Sequence, residues 1–254
     1  MGTLVAVLAI AVLGVPLALY LAQDRLLFFP QPLSQAERAR VPAREILLDA
    51  AGTRLQAWHV PGEPLVLYFG GNAEDVSWMA EQAGRAPGAG WLLVSYRGYG
   101  GSEGNPSATN IAEDALRWHD HARDVLTAQR IVVFGRSLGS GAAVHVAAQR
   151  PVAGAILVTP FDTLEAVARR HYPFLPVGLM LRHRFDSLEL APRIRAPLLC
   201  IAAGRDEVIP PAHARRLYDA WAGPKRWIEL PGAGHNSTDG MPAFWQAIND
   251  FLKQ

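Results

Sequence analysis

Cysteine is nearly absent. Cys200 stands alone, so no disulfide forms within the chain, and its setting in Pro197-Leu198-Leu199-Cys200-Ile201 reads as a buried strand. Net charge is almost missing too: the balance of +1 comes from acids and bases spread along the sequence. That leaves no basic stripe for a nucleic acid and no acidic tail. There is no internal repeat and no low-complexity linker, and 254 residues suit one domain of the larger α/β kind. No cluster of His, Cys, Asp and Glu has metal-ligand spacing, so neither a metal nor a cofactor is expected.

Charged residues are missing altogether from Leu4 to Ala22, where Val, Leu, Ala and Ile dominate. That length is close to the ~20 residues a bilayer core requires. A cleaved signal peptide competes with this reading, but its basic n-region is lacking and Tyr20-Leu21-Ala22 is a poor cleavage site. The expectation is an uncleaved transmembrane anchor over 1–23, followed by one domain over 24–254. Arg25, Arg38, Arg40 and Arg44 follow the anchor, which leans the domain to the cytoplasmic side. Small N-terminal anchors also run the other way, so an extracytoplasmic domain stays open.

What is present is alternation. Glu45–Leu48 and Arg54–Val60 suggest an opening hairpin. The runs Leu65–Phe69, Trp91–Ser95, Ile131–Phe134, Ala155–Val158, Leu198–Ala202 and Arg226–Leu230 read as buried strands. Helical patterns fall between most of them, at Ala73–Ala86, Ala108–Thr127, Leu138–Gln149, Pro211–Ala222 and Pro242–Leu252. Such alternation predicts an α/β fold, a mainly parallel sheet covered by helices on both faces. The stretch 171–189 breaks the rhythm with Pro173, Pro176 and Arg182-His183-Arg184 among apolar residues. It reads equally as a short cap over a site or as a surface helix packed on the sheet.

In parallel sheets of this kind ligands bind beyond the carboxyl ends of the strands. Ile131-Val132-Val133-Phe134 runs into Gly135-Arg136-Ser137-Leu138-Gly139 and then a small-residue helix. Strand, sharp turn holding one serine, and helix read as a nucleophile elbow, the alternative being an ordinary β-α turn with a capping serine. A serine is a poor nucleophile at neutral pH, so it needs a base and the base needs an anionic partner. Asp206, in Ala203-Gly204-Arg205-Asp206, follows one later strand, and His235, in Pro231-Gly232-Ala233-Gly234-His235, follows the last; the glycines of that loop are read as letting the chain fold back. Asp162 also follows a strand but fits a helix N-cap before Leu164, so Asp206 is preferred. The other histidines, at 59, 119, 121, 145, 171, 183 and 213, read as surface or packing residues. An oxyanion is expected to meet the backbone N–H groups of Leu138 and of Asn72, in the loop Phe69-Gly70-Gly71-Asn72-Ala73.

With these segments and Ser95-Tyr96-Arg97-Gly98-Tyr99-Gly100-Gly101-Ser102-Glu103-Gly104, the chain after Gln23 resembles the α/β-hydrolase superfamily. More narrowly it is similar to membrane-anchored, ABHD-like serine hydrolases and to bacterial fermentation-respiration-switch-like esterases. The resemblance implies Ser137, Asp206 and His235 as nucleophile, acid and base in the cleavage of acyl esters or thioesters, of small molecules, lipids or acylated proteins. Amide cleavage by the same residues, and a catalytically silent membrane-tethered binding module, are the alternatives. Relatives usually carry His-Gly-Asn where this chain has Gly70-Gly71-Asn72, so a side chain that braces the loop is missing.

Overall fold

The computed structural model describes residues 14–254. Eight strands form one sheet in the order β1-β2-β4-β3-β5-β6-β7-β8. β1 (Arg44–Ala50) and β2 (Thr53–Val60) make the expected hairpin, each longer than its apolar run. The turn between them places Ala51 and Gly52 at φ 53° and 85°, the left-handed pair that a two-residue hairpin turn requires. β2 runs antiparallel to β4 (Gly90–Ser95), and every later pairing is parallel: β4 with β3 (Leu65–Phe69), then β5 (Ile131–Arg136), β6 (Gly154–Val158), β7 (Leu198–Ala203) and β8 (Lys225–Leu230). Every residue of β3, β4, β6 and β7 is buried, which is why they read as continuous apolar runs rather than as alternation. β8 has only β7 as a neighbour and exposes Lys225 and Arg226, charges that discourage pairing with another chain.

Two apolar cores lie on the two faces of the sheet. One holds α4 (Ala108–Asp124), α5 (Leu138–Gln149) and α9 (Pro211–Ala220); the other holds α3 (Trp78–Gln82) and α10 (Pro242–Leu252). α4 starts where the Ser107 hydroxyl accepts the Asn110 N–H at 3.0 Å. It then buries Ile111, Ala115, Trp118 and Ala122, one per turn. Trp118 is fully buried, and a side chain of that kind contributes about 3 kcal/mol on leaving water. The single cysteine, Cys200, sits inside β7, where burial pushes its thiol pKa up.

α5 lies unusually close to the sheet. A Cβ on Gly139 would stand 2.0 Å from the Phe69 carbonyl oxygen, and one on Gly135 would stand 2.4 Å from the Gly139 carbonyl oxygen. Both glycines of the elbow are therefore required by strand–helix contact. Gly139→Ala is expected to destabilise the protein by about 1–3 kcal/mol, since backbone and not a flexible side chain must yield. Urea unfolding checks this; a variant as stable as the parent refutes the contact argument.

Residues 1–13 of the anchor expected over 1–23 lie outside the described residues. Among the described residues no helix is long and apolar enough to cross a membrane. α1 (Val15–Leu27) carries the chain past Ala22, ahead of the one-turn α2 (Gln35–Arg38), and near the end of α1 Gln23 is buried. The Gln23 carboxamide donates to the Met180 carbonyl (2.7 Å) and accepts the Arg182 N–H (2.9 Å). Asp24 takes His183 Nε2 at 2.6 Å and the Arg182 guanidinium Nη2–H at 2.9 Å. The stretch 171–189 is thus no surface helix on the sheet. It contributes short turns, α7 (Val177–Met180) and α8 (Ser187–Leu190), and clasps the end of α1.

Candidate active site

Ser137 sits between β5 and α5 with φ 50° and ψ −117°, a strained conformation for a residue with a Cβ. Its own N–H donates to the Val158 carbonyl at 2.9 Å, and its carbonyl accepts Ser140 N–H and Oγ–H at 2.9 and 2.6 Å. The peptide groups on both sides of the side chain are therefore fixed. Ser137 Oγ lies 2.9 Å from His235 Nε2, and His235 Nδ1 lies 2.7 Å from Asp206 Oδ2. The other Asp206 oxygen accepts the N–H groups of Val208 (3.0 Å) and Ile209 (2.7 Å). The Asp206 side chain is 1% exposed. With Nδ1 protonated and donating to Asp206, Nε2 is left to accept from the serine.

The acid and base loops are pinned to each other. The N–H groups of Gly204 and Arg205 donate to the carbonyls of Leu230 (2.9 Å) and Ala233 (2.8 Å). A Cβ on Gly204 would meet Pro231 Cα at 2.7 Å. The glycines expected to let the His235 loop fold back, Gly232 and Gly234, meet no such constraint: neither has a positive φ, and a Cβ on either meets nothing closer than 3.8 Å. The glycine that contact requires is Gly204, in the opposite loop. Glu207, beside Asp206, is exposed and turned out.

Leu138 N–H is the first of α5 and has no partner within the helix. Leu138, Asn72 and Ser137 line one cavity of 430 Å³. The Gly71 position faces the serine, since a Cβ there would lie 3.6 Å from Ser137 Cβ. The brace that sequence reasoning found missing is supplied by Glu74. One of its oxygens accepts the Gly71 N–H (2.6 Å), while the other accepts Tyr68 Oη–H (2.5 Å) and Trp78 Nε1–H (2.9 Å). Burial, with Glu74 beside it, holds the Tyr68 hydroxyl well above its usual pKa, so it stays a donor. Arg136 closes the cluster from below. Burial opposes its charge, yet Tyr68, Glu74 and Asp239 raise its pKa. Tyr96 Oη–H donates to the Gly70 carbonyl at 2.7 Å.

The Asn72 side chain does something the sequence did not announce. Its Nδ2 donates to the Leu27 carbonyl (2.6 Å), and its Oδ1 accepts from the Phe29 N–H (3.1 Å) and from Tyr99 Oη (2.8 Å). The loop beside Ser137 is therefore tied to the end of α1. Apart from His171, the rest of the cavity is largely apolar, walled by Leu26–Phe29 on one side and by Leu164, Val167, Ala168 and Tyr172 of α6 (Leu164–His171) and its end on the other. Of the expected cap, only His171 and Tyr172 reach this cavity.

Asp162 is not the helix cap. Thr163 caps α6, its hydroxyl accepting the Ala166 N–H at 3.0 Å. The buried Asp162 carboxylate is held by His213 Nδ1 (2.7 Å), Arg216 Nε (2.6 Å) and the Thr163 N–H (2.7 Å). Burial raises its pKa, but these donors outweigh it and the net shift is downward. A lowered carboxylate stabilises the fold above its unfolded pKa, and the contribution disappears as pH falls through the folded value. Asp162→Asn is accordingly expected to lose about 1.5–3 kcal/mol at neutral pH, with the deficit shrinking below the carboxylate range. Denaturant titration at the two pH values measures it; a deficit independent of pH refutes it. His213, read as a surface or packing residue, is thus a buried partner of Asp162.

A family model described as serine hydrolase matches residues 112–254. An uncharacterized protein of Mycobacterium tuberculosis, Rv2307c, is 39% identical over 98% of this chain and 94% of its own. An uncharacterized membrane protein of Saccharomyces cerevisiae, YNL320W, is 30% identical over 78% of this chain and 75% of its own. Among solved structures, mouse alpha/beta hydrolase domain-containing protein 10 is similar with a TM-score of 0.66 at 17% identity, covering 83% of this chain and 97% of that one.

Proposed function

The chain belongs to the serine hydrolase family and has the α/β-hydrolase fold, and from that premise we propose that Ser137, His235 and Asp206 hydrolyse carboxylic acyl esters or thioesters through an acyl-enzyme. The observation that carries this reading is His235, bridging Ser137 Oγ and the Asp206 carboxylate. His235 Nε2 takes the serine proton as Oγ attacks the acyl carbonyl, and Asp206 stabilises the imidazolium that results. The carbonyl oxygen becomes an oxyanion facing the N–H groups of Leu138 and Asn72. The imidazolium then protonates the leaving alkoxide or thiolate. Water, deprotonated by the same ring, releases the acid and restores the serine.

The ester reading rests on chemistry at the leaving-group side. His235 is the group beside Ser137 placed to protonate a leaving atom; of the polar side chains that line the cavity, Asn72 is tied to Leu27 and Phe29 and His171 Nε2 to the Val208 carbonyl. An alkoxide or thiolate needs less help. A fluorophosphonate probe is expected to label the protein at Ser137 and to leave Ser137→Ala unlabelled. Equal labelling of the two proteins, or none of the parent, refutes the assignment. A paired ester and amide panel then separates esterase from amidase.

We further propose that the site works at a membrane surface; the uncharged run from Leu4 to Ala22 supports this, and the exposed Leu17 and Leu21 of α1 continue that character. The yeast relative's description as a membrane protein agrees. The arginines after the run favour a cytoplasmic domain. Recovery of the full chain in the soluble fraction after lysis refutes this placement.

A further inference from the structure

Behind the cavity that contains Ser137 lies a second, of 390 Å³, between α1 and the segment 175–181. The two share Leu26, Leu27, Phe29, Ala168 and Tyr172 as a common wall. Three of those, Leu26, Phe29 and Tyr172, are half or more exposed, an arrangement that leaves large apolar side chains unpartnered at the junction. No charged side chain lines the second cavity. Its one carboxamide, Gln23, has its acceptor on Arg182 N–H and its donors on the Met180 and Tyr20 carbonyls. A peptide or sugar placed there would leave its polar groups without partners, at a cost of a few kcal/mol each. An alkyl chain would not.

We propose that the second cavity is the distal acyl-chain site of this enzyme, so that its substrates are esters or thioesters of long-chain fatty acids whose tails run from Ser137 past Phe29 and Tyr172 to the groove between α1 and Met180. This rests on the hydrolase reading above and extends it. The carbonyl end is fixed at Ser137 by the chemistry, and among the described residues the apolar lining that the two cavities share leads from there to α1. The N-terminal helix is then a wall of the substrate site as well as the approach to a membrane. Asp24, held by His183 and Arg182, keeps that wall in register with the segment opposite.

Inactivation rates with alkyl fluorophosphonates from ethyl to hexadecyl test this on the full-length protein. Each methylene that leaves water is worth about fourfold, so the rate is expected to climb well past hexyl in the parent. Leu175→Trp and Met180→Trp fill the second cavity and are expected to lower the hexadecyl-to-butyl ratio by about tenfold or more. The ratio is internal to each variant, so partial loss of folded protein cancels. A plateau at hexyl in the parent, or an unchanged ratio in both variants, overturns the proposal. Labelling that fails at every length refutes the hydrolase reading instead. The same ladder on glycerol esters and on cysteinyl thioesters is expected to repeat the length dependence, and the faster series names the source of the acyl chain; a length dependence absent from both counts against the site.

Discussion

His235→Ala is expected to lower kcat for ester hydrolysis by on the order of 10⁶-fold. Among the described residues the ring is the one group within hydrogen-bond reach of Ser137 Oγ that can accept its proton, at 2.9 Å, so without it the nucleophile is an ordinary alcohol. The Leu138 and Asn72 amides would still receive the oxyanion, which leaves a residual rate about 10³ to 10⁴ above water. Because serine and histidine act as one unit, the double variant with Ser137→Ala should be no worse than either single one. Asp206→Asn is a milder and more informative lesion. The Val208 and Ile209 N–H groups hold one side-chain oxygen, so an amide there turns its NH₂ toward His235 Nδ1. The ring must then carry its proton on Nε2, where it cannot accept from Ser137, at a cost of about 10⁴ in kcat. Steady-state kinetics with a chromogenic ester measures all three. A His235→Ala enzyme within tenfold of the parent would mean that another base serves Ser137.

Glu74→Ala is expected to cut kcat by about 10²-fold while leaving KM nearly unchanged. Glu74 touches no substrate. It holds the Gly71 N–H, Tyr68 and Trp78 at once, and Gly71 faces Ser137. Release of that loop displaces the Asn72 amide by a fraction of its length, and about 1 Å of misplacement is enough for an effect of this size. Glu74→Gln should recover part of the loss, because its carbonyl can keep Gly71 while its NH₂ faces the Tyr68 hydroxyl, which can turn to accept. The kcat-against-KM split separates this from general destabilisation. Equal losses in alanine and glutamine variants, or a rise in KM alone, would contradict a positioning role.

The sheet was legible because β3 and β7 are buried on both faces and cannot hide their apolar runs. α5 and α10 matched their expected bounds for a related reason: proline or the elbow sets the start, and the apolar or small-residue pattern sets the rest. α3 did not. Helix was expected from Ala73, yet it begins at Trp78, because Glu74 is committed to Gly71 and Tyr68 while Asp75 holds Ser77. Local propensity loses where side chains serve distant partners. Ser137, Asp206 and His235 were readable because each follows a strand end. Glu74 and Gln23 were not, since their partners lie in other segments or in a loop whose shape no local pattern encodes. The pairing of Asp162 with His213, 51 residues away in sequence, escaped for the same reason.

The two halves of the hydrogen-bonded chain at Ser137 do not rest on equally firm ground. The serine follows β5, a strand flanked on both sides within the sheet, whereas the histidine follows β8, which has a neighbour on one side only. Strand margins open at lower free energy than sheet centres. A loosening at β8 on heating or in denaturant is therefore expected to carry His235 away from Ser137, so that activity is lost while the centre of the sheet is still intact.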